Sequence, residues 1–529
     1  MLNAEWPCLQ SEKPGQGTAE ISCPEAAAWH APRSVPAMLP HDSVKVGLVS
    51  PCGDYLTAQS NGTGVKLDKT ELGANQVWDV KVKSTEGCQT LVELKGPHGL
   101  SLTTDDMGQV KCGVTCSNAN IFFLETQCNG TWVFRSLKFG TYLEMLENEV
   151  TCLMKTPTKC SMWTPHLAIH PHVVLYHLET KCYTRLLPAQ HQLCTDSPLP
   201  HSNEFNFILH FEKGKYHLQT SDLRYLSLDD QLLSKRSKMT AFSLHLRPGN
   251  MVSFHAAHQR VLYPHGRTGI LTVGSNPPDL FQYFALKKSK PWVSMKTASK
   301  NYLSVNYGVE IYARFDHLTR LSVFQFEATQ KGEMVRLRSS DNQLLAQRGQ
   351  SAVLADGKDV EGVTYFGMEW NQGKLALQAA NGLYLQVRPI GQVIASAQEP
   401  GVEQEFTVRL VNRPFLILRG RHGYIGSSYR SDKLVCNNNM YDIIVLIPCS
   451  RGFYHFQGKN GKFWSMGENY NFYVSGENPL DFCVEIRGDN LLSVLAPNGN
   501  YLQSDQSGAM SNLVKYGTKL VVRHPGRTR

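Results

Sequence analysis

A chain of 529 residues with 42% hydrophobic and 19% charged side chains exceeds what one hydrophobic core supports, and its size predicts about three to five domains. That composition excludes wholesale disorder, collagen-like repeats and coiled coils, and apolar runs such as Ile443 to Ile447 fall far short of the ~20 residues that span a bilayer, so no membrane insertion is expected. The formal charge of +8 favours an acidic partner surface without naming it.

Taken in chain order, residues 1–43 are rich in Pro, Ala, Gly and Glu. They carry too little apolar area to offset chain entropy and are expected to form a flexible arm. Met1 to Pro7 lacks the basic start and apolar core of a secretory signal, so the protein is expected in the cytoplasm. There the 14 cysteines are expected as reduced thiols, mostly acting as small buried hydrophobes. Asn61-Gly62-Thr63 and Asn129-Gly130-Thr131 then read as turns rather than as glycosylation sites.

From Gly53 onward a short signature recurs: a small or polar residue, an aromatic, then Leu or another apolar residue. Clear copies are Gly53 to Leu56, Gly140 to Leu143, Leu223 to Leu226, Lys300 to Leu303, Gly382 to Leu385, His422 to Ile425, Gly461 to Trp464 and Gly499 to Leu502. Weaker ones at Gly99 to Leu102, Lys181 to Thr184, Gln259 to Leu262 and Asn342 to Leu345 bring the count to about twelve, spaced about 36 to 46 residues apart. Each copy reads as a turn feeding an alternating strand, as in a β-hairpin. A longer period appears in Pro171, Pro291 and Pro414, each followed by an apolar strand and about 120 residues apart.

Three short repeats thus make one long unit. The chain is predicted to be all-β, with four tandem β-trefoil domains of twelve repeat lobes arranged in two lobes. The expected boundaries are 44–169, 170–289, 290–411 and 412–522, followed by a loose basic tail at 523–529. A β-propeller also uses blades of about 40 residues, but the Trp-Asp blade signature is missing and a threefold grouping has no reason to exist in a single ring.

At this point the chain resembles the fascins, from about Val44 to about Val522. The segments that carry the likeness are Val46-Gly47-Leu48, Gly53 to Ala58, Ala168 to His172, Val411 to Pro414, Arg419 to Gly426 and Gly461 to Trp464. Within that family, the divergence and basic balance are most like the testis-type paralogue. The resemblance implies four trefoils paired into two lobes, a monomer, and a rigid crosslinker that binds actin filaments through more than one surface. Many weak contacts along two filaments then add up to a stable bundle.

The resemblance also implies where the surfaces lie. One sits where the first and last trefoils meet, and its matching segment contains Arg419, Arg421 and His422; an arginine offers bidentate pairing to acidic side chains. The competing reading is a solvated hairpin turn whose glycines serve backbone geometry alone. In the facing first trefoil the family lysine is replaced by Asp54, and the family's phosphorylated serine by the Thr70-Glu71 segment, where Glu71 resembles a permanent negative charge. Gln503 and Glu149 also stand where basic residues are expected. Lys45, Lys66, Lys69, Lys515 and Lys519 are candidates to compensate, although most such charges only solvate a surface. Lys374 and Arg388 of the third trefoil form a candidate second surface.

Catalysis is not expected, because the chain shows no His-Glu-x-x-His, P-loop, dinucleotide glycine pattern or Gly-x-Ser-x-Gly elbow. His170-Pro171-His172, Cys112 with Cys116, and Cys152 with Cys160 lack metal-site spacing, so neither metal nor cofactor is expected. Dispersed basic residues without a recognition helix argue against nucleic acid. Two alternatives stay open: a one-site actin-associated adaptor that does not bundle, and a cytosolic sugar-binding β-trefoil. The latter rests on Gln76-Val77-Trp78, Gln282-Tyr283-Phe284 and Gln325-Phe326, which are similar to the Gln-x-Trp beat of ricin-type lectins.

Overall fold

The computed structural model describes residues 43–512 apart from 69–70, 87–88, 115–117, 248–250, 276, 279, 330, 450–451 and 489. Lys69, Lys515, Lys519, the tail and all but the last residue of the expected arm lie outside the described residues. The described chain is built from 47 strands and seven single-turn 3-10 helices, and contains no α-helix.

The third unit shows how these strands close. Trp292–Lys296, Phe324–Ala328, Met334–Ser339, Phe366–Asn371, Lys374–Gln378 and Phe406–Leu410 pair in turn and return to the first, forming a six-stranded barrel. Three hairpins, Tyr302–Asn306 with Glu310–Phe315, Leu344–Arg348 with Ala352–Gly357, and Tyr384–Val387 with Val393–Ala397, cap one end and pair with one another. This is the β-trefoil, and its closure leaves no barrel edge exposed. Twelve strands of this kind run from Ser43 to Leu167, twelve from His172 to Lys288, twelve from Trp292 to Leu410 and eleven from Phe415 to Ser511.

The recurring signature has a backbone cause. At the start of eleven of the twelve copies the chain enters the left-handed region: Gly53, Gly99, Gly140, Gly382, Gly461 and Gly499 do so, and Lys181, Leu223, Gln259, Lys300 and Asn342 take the same conformation without being glycine. The turn bends the barrel strand into its hairpin, and glycine enters that region without a Cβ clash. Both sequons are turns as well, since Asn61 Oδ1 accepts from Thr63 and Gly64 N–H and Asn129 Oδ1 accepts from Thr131 N–H. The Gln76-Val77-Trp78 beat belongs to the fold: Gln76 and Trp78 are buried, and Trp78 Nε1 donates to Leu56 O at 2.8 Å.

Packing divides the molecule in two. One continuous apolar cluster runs from Val46 to Phe284 and another from Val293 to Met510, so the four trefoils pair into two lobes. Each pair is joined by a buried tyrosine in the same role. Tyr216 hydroxyl accepts from Leu167 N–H at 2.9 Å and donates to Pro165 O at 2.8 Å, and Tyr454 hydroxyl accepts from Leu410 N–H at 2.7 Å. Between the lobes lies a third, small cluster of Ile208, Phe415 and Ile417, flanked by Tyr424, Tyr441 and Ile443.

The described cysteines are free thiols. Cys112, Cys152, Cys194, Cys436 and Cys483 are buried, while Cys52 and Cys128 are exposed; burial pushes the Cys112, Cys194 and Cys483 thiols up to about 11. No helix among the described residues is long and apolar enough to cross a membrane.

Candidate functional site

The segment Arg419 to Tyr424 is the tenth copy of the repeat, and it departs from the others. Its turn is closed by Gly420 N–H donating to Gly423 O at 2.8 Å, and neither His422 nor Gly423 adopts the left-handed conformation seen at this place in the other copies. Arg421 and His422 form the two-residue tip and are both exposed. Below them Arg419 is half-buried, its guanidinium 5.2 Å from the centre of the Tyr424 ring, a cation–π geometry.

The glycines here serve close packing: neither takes a positive φ. A Cβ at Gly423 would stand 2.6 Å from Asn438 O, and one at Gly420 would stand 3.1 Å from Cys436 Cβ. The turn lies flat on the strand Leu434–Asn438, which fixes the direction in which its two charged side chains project. Its root is anchored between the lobes: Tyr424 packs on Tyr441 at 5.7 Å between ring centres, and the Tyr441 hydroxyl shares a 2.7 Å hydrogen bond with His210 Nδ1 of the second trefoil.

The third-trefoil candidates do not act as a pair. Lys374 opens its barrel strand and pairs with Glu405 Oε2 at 3.3 Å while staying about half exposed, so its charge is shared between that carboxylate and solvent. Arg388 lies on the hairpin cap, exposed, with only a weak 3.4 Å bond to Gln392 Oε1. Its neighbour there is Arg314, which sequence reasoning missed. Arg314 Nε donates to Ile390 O at 3.1 Å, its guanidinium lies 4.1 Å from the Tyr312 ring, and Tyr307 and Ile390 are exposed beside it. Arg314 belongs to a different hairpin, and no local pattern in the sequence connects it with Arg388. Arg336 and Arg338, by contrast, are taken up in ion pairs with Glu327 and Asp359.

The first trefoil is different from the expectation at Asp54. That residue is 6% exposed, with its N–H held by Ser50 Oγ at 3.2 Å, so it presents no reversed charge to a partner. Glu71 is exposed; together with the larger effect of burial, its charge pushes the Tyr55 hydroxyl up to about 12. Lys66 pairs with Asp68 at 2.8 Å and Lys45 is half-buried. Glu149 is exposed, and Gln503 is half-buried in the short strand Gln503–Ser504.

The barrels and their hairpin caps define a tandem β-trefoil protein. The Fascin domain family model matches residues 298–408. The chain is 38% identical over 470 residues to Fascin-3 of Mus musculus, covering 89% of this chain and 94% of that one. It is 30% identical to Fascin-2 of Bos taurus, with 88% and 95% covered, and 26% identical over 491 residues to Fascin of Strongylocentrotus purpuratus, with 88% and 95% covered. The chain belongs to the fascin family, whose members are actin-bundling structural proteins, and it is not an enzyme.

Proposed function

We propose that this protein binds actin filaments and crosslinks them through two separate basic surfaces on one rigid molecule. The first is the Arg421–His422 tip with Arg419 beneath it, and the second is the Arg314–Arg388 patch, with Lys374 in a lesser role. The observation that carries the proposal is the tenth turn: alone among the twelve repeat turns it abandons the common geometry, and it projects an arginine and a histidine from a tip seated on an adjacent strand. Both surfaces stand on the same continuous apolar cluster, so force applied to one is transmitted to the other without a flexible joint.

The adaptor reading keeps one observation in its favour. Lys374 and Lys66 are each paired with a carboxylate, which lowers the net positive charge offered to a second filament. Cosedimentation separates the two readings, because low-speed pellets report bundles and high-speed pellets report any filament binding. Arg421→Glu is expected to weaken filament binding about tenfold, equivalent to about 1.4 kcal/mol. Arg388→Glu is expected to abolish low-speed pelleting while leaving high-speed pelleting in place. If the wild-type protein pellets filaments only at high speed, the adaptor reading stands and the two-surface proposal fails.

A further inference from the structure

The junction of the two lobes encloses a cavity of about 50 Å³ that the actin-binding reading does not use. Its polar wall is His170, His172, Lys288, Ser289, Arg413 and Asn490, and apolar residues including Ile417 complete it. His170 Nε2 donates to Ile417 O at 3.1 Å, and His170 Nδ1 accepts from His172 N–H at 3.2 Å. His172 is 7% exposed, and its Nε2 finds no hydrogen-bond partner.

The charge in this wall is of one sign. Arg413 gives three N–H bonds, to Ser289 Oγ at 2.7 Å, Ser289 O at 2.7 Å and Asn412 O at 3.2 Å, and among the described residues no carboxylate pairs with it. Burial pushes the guanidinium down to about 9. Lys288, exposed at the cavity rim, likewise has no carboxylate partner among the described residues. Besides burial, the nearby charges that depress His170 are Arg413 and Arg419. Arg413 is half-buried, and a cation drawn out of water without a counter-charge is costly, so an anion placed here lowers that cost.

We propose that this cavity is a binding site for a tetrahedral oxyanion of the phosphate class, held by Arg413 and Lys288. The dimensions agree: a water takes roughly 10–15 Å³ of such space, so the cavity holds a handful of oxygen-sized groups. Two of the five Arg413 N–H groups remain to donate after the three bonds above, and the Lys288 ammonium stands at the rim of the same space. Because Lys288, Ser289, His170 and His172 come from the second trefoil and Arg413 and Ile417 from the fourth, the anion fastens one lobe to the other.

The test uses the full chain and titrates inorganic phosphate by calorimetry and by thermal unfolding, against chloride at equal ionic strength. Saturable binding of about one phosphate and a higher melting temperature are expected. Arg413→Gln is expected to weaken binding at least about tenfold, as loss of a hydrogen bond to a charged group does. Lys288→Gln, at the exposed rim, is expected to weaken it several-fold with the phosphate-free melting temperature unchanged, which keeps the test decisive if the Arg413 variant does not fold. Phenyl phosphate distinguishes the sources: tighter binding than inorganic phosphate assigns the site to an organic phosphomonoester, and equal or weaker binding assigns it to the free ion. A phosphate effect no larger than that of chloride, or one left intact by Lys288→Gln and Arg413→Gln alike, overturns the proposal.

Discussion

Leu223 holds a φ of 65° in a turn where six of the equivalent residues are glycine, and its side chain is 40% exposed. A left-handed residue with a Cβ costs about 1–2 kcal/mol, whereas glycine costs about 0.5–1 kcal/mol in chain entropy. Leu223→Gly is therefore expected to stabilise the N-terminal lobe by about 0.5–1 kcal/mol, measured as a rise in the urea midpoint with an unchanged slope. The same reasoning explains why His422 needs no such relief: the tenth turn is shorter and stays out of the left-handed region. At this scale the candidate site was partly legible. The fascin resemblance pointed to Arg421 and His422, and both are exposed, but the burial of Asp54 was not legible, because a residue before a cap strand looks solvated when only its neighbours in sequence are seen.

The elements that hold trefoils together are few and specific. Tyr216 and Tyr454 each reach across to the preceding trefoil and satisfy a backbone N–H there. Replacing either with Phe removes the hydroxyl while its partner stays buried, at a cost of about 1–3 kcal/mol each. Because the two tyrosines sit in different apolar clusters, their effects are expected to add in the double variant. Equilibrium denaturation checks this, and a double variant markedly worse than the sum would mean that the lobes unfold as one unit. Burial holds the Tyr216 and Tyr454 hydroxyls far above the ordinary tyrosine range, so both stay protonated throughout the alkaline range in which exposed tyrosines ionise. The repeat signature announced the cap hairpins, and it was silent on these contacts because Tyr216 and Tyr454 occupy ordinary apolar places in alternating strands.

For the whole molecule, the contact between the lobes carries a pH dependence. His170 donates to Ile417 O, and His210 is bonded to Gln219 Oε1 and to Tyr441. Burial, the largest cause for both, pushes each down to about 4 from 6.5, with smaller opposing contributions from their hydrogen bonds. Below pH 6.5 the unfolded chain takes up protons that the folded chain refuses, so these residues cost stability as the pH falls, and the loss continues until about pH 4. Melting temperature is expected to fall through that window. His210→Gln is expected to flatten the fall, and an acid profile unchanged in that variant would count against this account. An acid-weakened contact also loosens the root of the Arg421–His422 hairpin, so filament binding is expected to weaken over the same range.

The sequence by itself determined the fold class and the repeat. Strand alternation and turn chemistry are local, and each of the twelve signatures marks a hairpin whose strands are neighbours along the chain. The closed barrels follow because such hairpins leave edges that only closure satisfies. What the tertiary structure alone decided is everything built from residues far apart: the approach of Arg314 to the Arg388 loop, the pairing of Lys374 with Glu405, and the meeting of His170 and His172 with Arg413. Charge and burial at those places depend on which surfaces the lobes bury against one another, and no periodicity in a single chain records that.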